Sequence, residues 1–297
     1  MIGFSPVLST ANPQKRQCFV ILVHYGAAHV TQNAIRALER SSAPPAKIII
    51  VDHGPTPLTL PPSPHYQILT PENNAGYGAG VNLGLGALVS TGAQGSDIVV
   101  IMNNDVHVYP DTVAKLHTWW AAHLQPTLAG AVIEEGHSAI HGGGRVNMWT
   151  GRAHLVRSAD KYTARNLDYI HGAFMTAPLT LLLSVQGLPE HYFLYWEDVL
   201  LGSRLRRRGV LLQVASTVRV RHKETSAARS AEKLYYLVRN GALYMEHETP
   251  WPLSLWWRLV NRLRGLRHRV WPSKHSSVVA QGLQDARRGI TGKRRTP

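Results

Sequence analysis

The chain has 297 residues, 44% of them hydrophobic, which is enough for one large α/β domain or two modest ones with a full core. Its formal net charge of +14 asks for an anionic partner: nucleic acid, an anionic membrane surface or a phosphate-rich substrate. A lone cysteine, Cys18, excludes an internal disulfide framework, and beside Phe19-Val20-Ile21-Leu22-Val23 it reads as an inert buried thiol in keeping with a reducing compartment.

Residues Met1 to Gln17 lack the charged-then-apolar layout of a secretory signal and form an N-terminal extension. The best candidate for a membrane span, Gly172 to Val185, is too short and is interrupted by Thr176, Pro178, Thr180 and Ser184. A soluble or peripheral protein is expected.

Cys18–Val23 predicts a first buried strand, and Thr31–Arg40 a helix with Ala34, Ala37 and Leu38 at helical spacing. Lys47–Val51 is a second strand ending at Asp52, and Tyr66–Leu69 a short third beyond a proline-rich loop. The glycine-rich stretch Asn74–Gly86 merges into a helix, and Ile98–Met102 is a fourth strand. Strands alternating with helices over the first 110 residues imply a mostly parallel central sheet flanked by helices.

From Ala129 to Arg165 no period is clear. Leu181–Val185 and Val199–Arg208 read as helical, Leu211–Ala215 and Val218–Val220 as extended. Ala231–Glu246 is a helix with Leu234, Leu237, Val238 and Leu243 on one face.

Asp52, Asn73 and Asn103 fall at strand ends, on the edge where ligands bind in open α/β sheets. Asn103-Asn104-Asp105 closes the fourth strand, so Asp105 can reach a cleft. One or two carboxylates with a donor diphosphate suffice for Mg²⁺ or Mn²⁺. A turn or helix cap is the plainer use of such a residue.

Tyr192-Phe193-Leu194-Tyr195-Trp196 leads into Glu197-Asp198, where sugars could stack on rings and a carboxylate could take a hydroxyl proton. The same pair would also suit the first turn of the following helix. The glycine run at 74–86 lacks the third glycine of the dinucleotide fingerprint and has no Walker lysine, which argues against NAD enzymes and P-loop kinases. His141-Gly142-Gly143-Gly144 lacks a partner Gly-x-Ser-x-Gly elbow, and His137 with His141 lacks further metal ligands.

Taken in order, these residues resemble the family 2 inverting glycosyltransferases of the GT-A fold, especially bacterial rhamnosyltransferase-like members, over about Phe19 to Met245. Val51-Asp52-His53-Gly54 is similar to the family's base-binding Val-Asp-Asn-Gly-Ser, and Asn74-x-Gly76-Tyr77-x-x-Gly80-x-Asn82 to its second donor segment. Asn103-Asn104-Asp105 stands for its metal-binding Asp-x-Asp variant, Gly172-Ala173-Phe174-Met175 for its acceptor-side glycine segment, and Phe193-x-Tyr195-Trp196-Glu197-Asp198 for its catalytic signature. Arg239-Asn240 after Tyr235-Tyr236 matches a further one. The family's Glu-Asp-x-Asp-Leu becomes Glu197-Asp198-Val199-Leu200-Leu201, so its second aspartate is gone.

The resemblance implies Asp198 as catalytic base and Asp105 with His222 at an Mg²⁺ or Mn²⁺ ion. It implies Tyr25, Asp52, Asn74, Gly76, Tyr77, Asn82, Asn103 and Asn104 around the nucleotide sugar, and Gly172, Trp196 and Glu197 on the acceptor side. One GT-A-like domain would span 18–247, with a donor half of about 18–110 and an acceptor half of about 111–247. Residues 248–297 would form a basic amphipathic extension.

The implied reaction moves a sugar from a dTDP-rhamnose-like or UDP-sugar donor to a growing polysaccharide or lipid-linked glycan. It would run in the cytoplasm, peripherally at the inner face of the plasma membrane if the extension binds lipid. A basic nucleic-acid-binding protein is the alternative from charge alone, but no basic–aromatic motif supports it and no nucleic acid is expected as partner. A donor-binding protein without turnover is the other alternative.

In Trp251 to Trp271, Leu255, Leu259, Leu263, Leu266 and Val270 share one helical side, with Trp256 adjoining and arginines on the flanks. Such a helix suits an anionic membrane surface, or packs its leucines on the domain.

Overall fold

The computed structural model describes residues 16–135, 138–140, 142–156, 167–222 and 230–294. His137, His141 and most of the N-terminal extension lie outside them. Four strands, β1 (Cys18–His24), β2 (Lys47–Asp52), β3 (Tyr66–Leu69) and β4 (Ile98–Asn103), pair in parallel in the order β3-β2-β1-β4.

β1 is buried along its whole length, and its side chains alternate between two cores, as the two-residue period of a strand requires. Cys18, Val20 and Leu22 join Ile35 and Leu38 of α1 (Ala28–Glu39) and Leu116 and Trp120 of α3 (Thr112–Ala122). Phe19, Ile21 and Val23 join Val81, Leu85 and Leu88 of α2 (Tyr77–Ser90). Burial pushes the Cys18 thiol up to about 12, so it stays protonated and inert.

The all-parallel pattern stops at β11 (Phe174–Pro178), which enters antiparallel between β4 and β6 (Thr127–Glu135). β12 (Leu211–His222) runs parallel to β6 and carries β5 (Val106–Val108) antiparallel on its outer edge. β7 (Ser138–Ile140) also pairs with β6, which makes nine strands among the described residues. The two extended pieces expected at 211–220 are one strand whose register shifts between Ala215 and Arg219. Such a bulge bends and twists a strand.

The stretch without clear period holds β6, β7 and two strands, β8 (Gly143–Asn147) and β9 (Arg152–Leu155), of a second small sheet that β10 (Tyr169–Ile170) completes in the order β10-β8-β9. The first two are short, and Gly143 and Gly144 supply no side chain to mark a face, so their period is faint in the sequence.

A helical layer follows: α4 (Leu179–Ser184), α5 (Glu197–Arg207), α6 (Ala231–His247), α7 (Leu253–Val270) and α8 (Ser276–Arg287). Ser230 caps α6 by accepting a hydrogen bond from the Lys233 amide at 3.2 Å.

The buried face of α6 differs in part from the expected one. It presents Tyr235, Tyr236, Arg239, Asn240 and Leu243 inward, while Leu237 is 39% exposed. Leu234 and Val238 still pack, partly buried, against the helical core and Leu243 is buried, but the deepest positions go to Tyr235, Tyr236, Arg239 and Asn240, which apolar periodicity does not register.

Candidate active site

The parallel strands of the first half deliver their C-terminal residues to one sheet edge, as open α/β sheets do. β1 ends in His24, β2 in Asp52 and β4 in Asn103. Asp52 is 4% exposed and accepts hydrogen bonds from the amides of Gly54 (2.9 Å) and Leu58 (2.6 Å). His24 Nε2 lies 3.9 Å from it, and His24 Nδ1 pairs with Thr31 Oγ1 at 2.6 Å. Asp52 therefore shapes the loop after β2 as well as ending the strand.

Asn104 does similar work. Its amide nitrogen donates to the Tyr25 carbonyl (3.2 Å) and to Thr31 Oγ1 (2.9 Å), fixing the loop that carries the exposed Tyr25 ring. The Asn103 amide donates to Ala173 O at 3.0 Å, tying the strand end to the Gly172-Ala173 segment.

Two residues past that edge, Asp105 Oδ1 lies 3.3 Å from His222 Nε2 and is buried without a hydrogen bond. His222 Nδ1 faces Glu135 Oε1 at 3.0 Å. Burial disfavours the charged ring, but the carboxylates of Asp105 and Glu135 outweigh it and raise the His222 pKa to about 9.

A carboxylate oxygen that is buried and unbonded beside an imidazole fits a hard divalent cation that takes its remaining ligands from water and phosphate. No cluster of three or more His, Cys, Asp or Glu with metal-holding geometry exists among the described residues, so the protein's share of such a site would be small.

Across the cleft stands a neighbour that sequence reasoning missed. The His171 ring lies 6.2 Å from that of His222, centroid to centroid, and its Nδ1 accepts from the Ala173 amide at 3.1 Å. Burial lowers its pKa against the pull of Asp198, so the ring is neutral with its proton on Nε2. The only available signal was its place directly before Gly172.

Gly172 N donates to Asp198 Oδ2 at 3.0 Å, and Val199 N to Asp198 Oδ1 at 2.8 Å. Burial raises the Asp198 pKa, while His171 and these two amides hold it back. Glu197 is more deeply placed, with Oε2 buried and unbonded; burial and the Asp198 charge push it up to about 8. Tyr77 bridges the two sides. Its hydroxyl donates to the Gly172 carbonyl at 3.0 Å, and burial with the charges of Glu197, Asp198 and Asp105 keeps it protonated.

The segment ahead of Glu197 is held in a rare conformation. Phe193, Tyr195 and Trp196 have φ of 67°, 66° and 74°, costing roughly 1–3 kcal/mol each unless the surroundings enforce them. Arg239 and Asn240, both fully buried, enforce them. Asn240 Nδ2 donates to the carbonyls of Tyr192 (2.9 Å), Leu194 (2.8 Å) and Tyr195 (2.9 Å). Arg239 donates to Tyr192 O (2.9 Å), Gly292 O (2.7 Å) and Asn240 Oδ1 (2.9 Å), against the rings of Tyr235 and Tyr236.

Two expectations are corrected by these contacts. Trp196 presents no stacking face to a sugar: it is 8% exposed, donates to Leu237 O at 3.2 Å and packs against Tyr244. Tyr192 and Phe193 are buried as well, so the aromatic run builds the loop and leaves Tyr195 half-buried. Asn82 does not reach a donor either. Its amide nitrogen donates to Leu188 O (2.9 Å) and Glu190 Oε1 (2.8 Å), and its oxygen accepts from Leu188 N (2.8 Å).

The glycine-rich segment serves the same closure. Gly76 has φ +104°, and a Cβ there would stand 2.4 Å from the Phe193 carbonyl; at Gly78 one would stand 2.7 Å from Pro189 O. Asn74 Oδ1 accepts from Gly76 N at 2.9 Å and sets up that turn. The small residues thus let α2 lie against the loop before Glu197.

This architecture is the GT-A fold of nucleotide-sugar glycosyltransferases. The chain aligns over 92% of its length, and 81% of theirs, with residues 1–349 of S. aureus TarS bound to UDP-GlcNAc, at 15% identity and TM-score 0.56. It aligns over 94% of its length, and 88% of that chain, with a mannosyltransferase of Pyrobaculum calidifontis in complex with GDP-Man and Mn²⁺, at 14% identity and TM-score 0.52. It covers 43% of a longer TarS chain, at TM-score 0.53.

By sequence it is 26% identical, over 71% of its length and 77% of theirs, to the N-acetylglucosaminyl-diphospho-decaprenol L-rhamnosyltransferases of two Mycobacterium tuberculosis strains. No protein-family model matches. Fold and sequence likeness together support a GT-A-like glycosyltransferase.

Proposed function

We propose that the protein transfers a sugar, with inversion, from a dTDP-rhamnose-like or UDP-sugar donor to a hydroxyl of a lipid-linked or growing glycan. The observation that carries this reading is the meeting of two differently prepared carboxylates at one cleft. Asp105 stands beside His222, and Asp198 is fixed by Gly172 and Val199 beside His171.

Asp198 deprotonates the acceptor hydroxyl at its Oδ atoms; it is only partly buried, whereas Glu197 is enclosed. Its raised pKa makes it a better base than a free carboxylate. His171 stands beside it and, with the amides of Gly172 and Val199, limits that rise. Asp105 and His222 would hold an Mg²⁺ or Mn²⁺ ion, which when bound supplies charge neutralisation to the departing diphosphate. Tyr25, Asp52, Asn74, Gly76, Asn103 and Asn104 shape the donor side through their loops.

We place the transferase in residues 18–247, with 248–297 as a C-terminal extension. Among the described residues no helix is long and apolar enough to cross a membrane. The M. tuberculosis relatives' name specifies a lipid-linked acceptor, which supports a peripheral position at the inner face of the membrane.

The experiment is a panel of nucleotide sugars, with Mg²⁺, Mn²⁺ or chelator, offered with a polyprenyl-diphosphate sugar acceptor. The expected result is one preferred donor, an inverted anomeric product and loss of turnover in chelator. A retained anomeric configuration would overturn the mechanism. Nucleotide binding without turnover across the panel would leave a donor-binding protein.

A further inference from the structure

α7 is held to the protein by one narrow face. Trp257 and Asn261 are its buried residues; Trp257 Nε1 donates to Met148 O at 2.8 Å and Asn261 Nδ2 to Glu246 Oε1 at 2.8 Å. At about 100° per residue, Leu255, Trp256, Leu259, Leu263, Leu266 and Val270 fall within roughly 100° of arc on the other side.

These residues are open to solvent at 49–58% exposure, and Trp251 (76%) and Trp271 (72%) flank them. Together they are eight of the sixteen exposed large hydrophobic side chains among the described residues, gathered on one helix and its two ends. A patch of this kind marks an interaction surface. The leucines of this stripe do not pack on the domain.

A second feature borders the stripe. Between α7, α8 and the end of α6 lies a cavity of about 450 Å³, lined by Arg258, Arg262, Arg269, Arg287, Leu283 and Glu246. Arg269 donates to Gln284 Oε1 at 3.0 Å, and Glu246 is engaged by Asn261. Arg258, Arg262 and Arg287 have no carboxylate partner among the described residues. On the helix wheel Arg258, Arg262 and Arg269 sit at the margin of the leucine stripe, so a basic groove and an apolar face share one edge.

We infer that this surface docks on an anionic phospholipid bilayer, with the leucine stripe entering the acyl boundary and the arginine groove taking lipid phosphates. Apolar area next to unpaired guanidinium groups matches the two chemistries of such an interface, and tryptophans at both ends suit the headgroup level. The docking site lies on the acceptor side: Trp257 packs on the turn between β8 and β9, and the same small sheet carries β10 directly into His171 and Gly172.

The purpose of this placement rests on the transferase reading, whereas the binding itself is measured without donor or acceptor. Full-length protein is co-sedimented with phosphatidylcholine vesicles with and without phosphatidylglycerol. Anionic vesicles should bind at least about tenfold more tightly, with the advantage falling as salt rises.

Leu259→Glu/Leu263→Glu should abolish binding to both vesicle types at an unchanged melting temperature, because both side chains are exposed. Arg262→Ala/Arg287→Ala should lose the preference for anionic vesicles. Equal binding to neutral and anionic vesicles, or wild-type binding by the leucine variant, would overturn the inference. So would self-association through the stripe with no vesicle binding, or saturable binding of inorganic phosphate or glycerol 3-phosphate at the arginines with none to vesicles. Turnover on a soluble acceptor analogue should be unchanged in both variants; vesicle binding by a wild type with no turnover would sink the transferase reading and leave this one standing.

Discussion

Asp105 and Asp198 face one cleft but are built in opposite ways. Asp105 needs little more than the sheet: a buried strand ends, and the chain places a carboxylate two residues past it. Asp198 follows a loop with three left-handed residues and no glycine among them, which cannot hold itself. It depends on Arg239 and Asn240, more than forty residues on, and on an α2 glycine run that leaves room for the loop. A carboxylate at a strand end is placed by backbone pairing, whereas one on a strained loop needs an external clamp. Substitutions should therefore separate chemistry from support at one site and merge them at the other.

The largest expected effect is chemical. Asp198→Asn should lower kcat by about 10²–10⁴-fold while nucleotide affinity and melting temperature hold, because the burial that raises its pKa opposes the charge that the substitution removes. Normal turnover in that variant would remove Asp198 from the role of base.

Arg239→Met tests the clamp from a distance. It strips hydrogen bonds from the buried carbonyl of Tyr192 and the partly buried one of Gly292, so urea unfolding should show a loss of about 2–4 kcal/mol. Turnover should fall with it although Arg239 touches no reacting atom. Unchanged kcat in folded protein would mean that the loop keeps its shape unaided.

At the strand-end site the prediction is narrower. Asp105→Asn should weaken donor binding in Mn²⁺ about tenfold, equal to about 1.4 kcal/mol, and leave binding in chelator unaltered. Equal losses in both conditions would make Asp105 structural.

A further effect is on stability against pH. Glu197 has a folded pKa raised from 4.5 to about 8, so the folded state holds a proton that the unfolded chain releases. Its contribution is fully present below about pH 4.5 and is lost as pH rises through about 8. Melting temperature should decline across that window in the wild type and decline less in Glu197→Gln. Parallel curves would place the pH dependence elsewhere.

The same contrast decides what was legible in the sequence. Strands β1, β2 and β4 announce themselves as apolar runs closed by polar residues, so the donor edge and Asp105 could be placed from residue order. Motif likeness also reached Asp198. Hidden from it were contacts between distant segments: Asn82 reads as a donor ligand until Leu188 and Glu190 are seen to use its amide. Trp196 reads as a sugar platform until α6 covers it. The inward face of α6 was legible only in part: Leu234, Val238 and Leu243 do pack, but apolar period cannot register a buried Arg–Asn pair. The small sheet escaped because its strands are short and partly glycine.

Gly292 acts from the far end of the described chain. Its carbonyl accepts from Arg239, and its amide donates to the His191 carbonyl at 2.7 Å, so it touches both the clamp and the loop being clamped. During synthesis the loop at 190–196 leaves the ribosome long before this glycine does. A nascent chain therefore carries every reacting side chain before it carries the parts that set their geometry. Enzymatic competence should arrive late and abruptly as the polypeptide lengthens, giving a growing chain little chance to waste activated sugar on water.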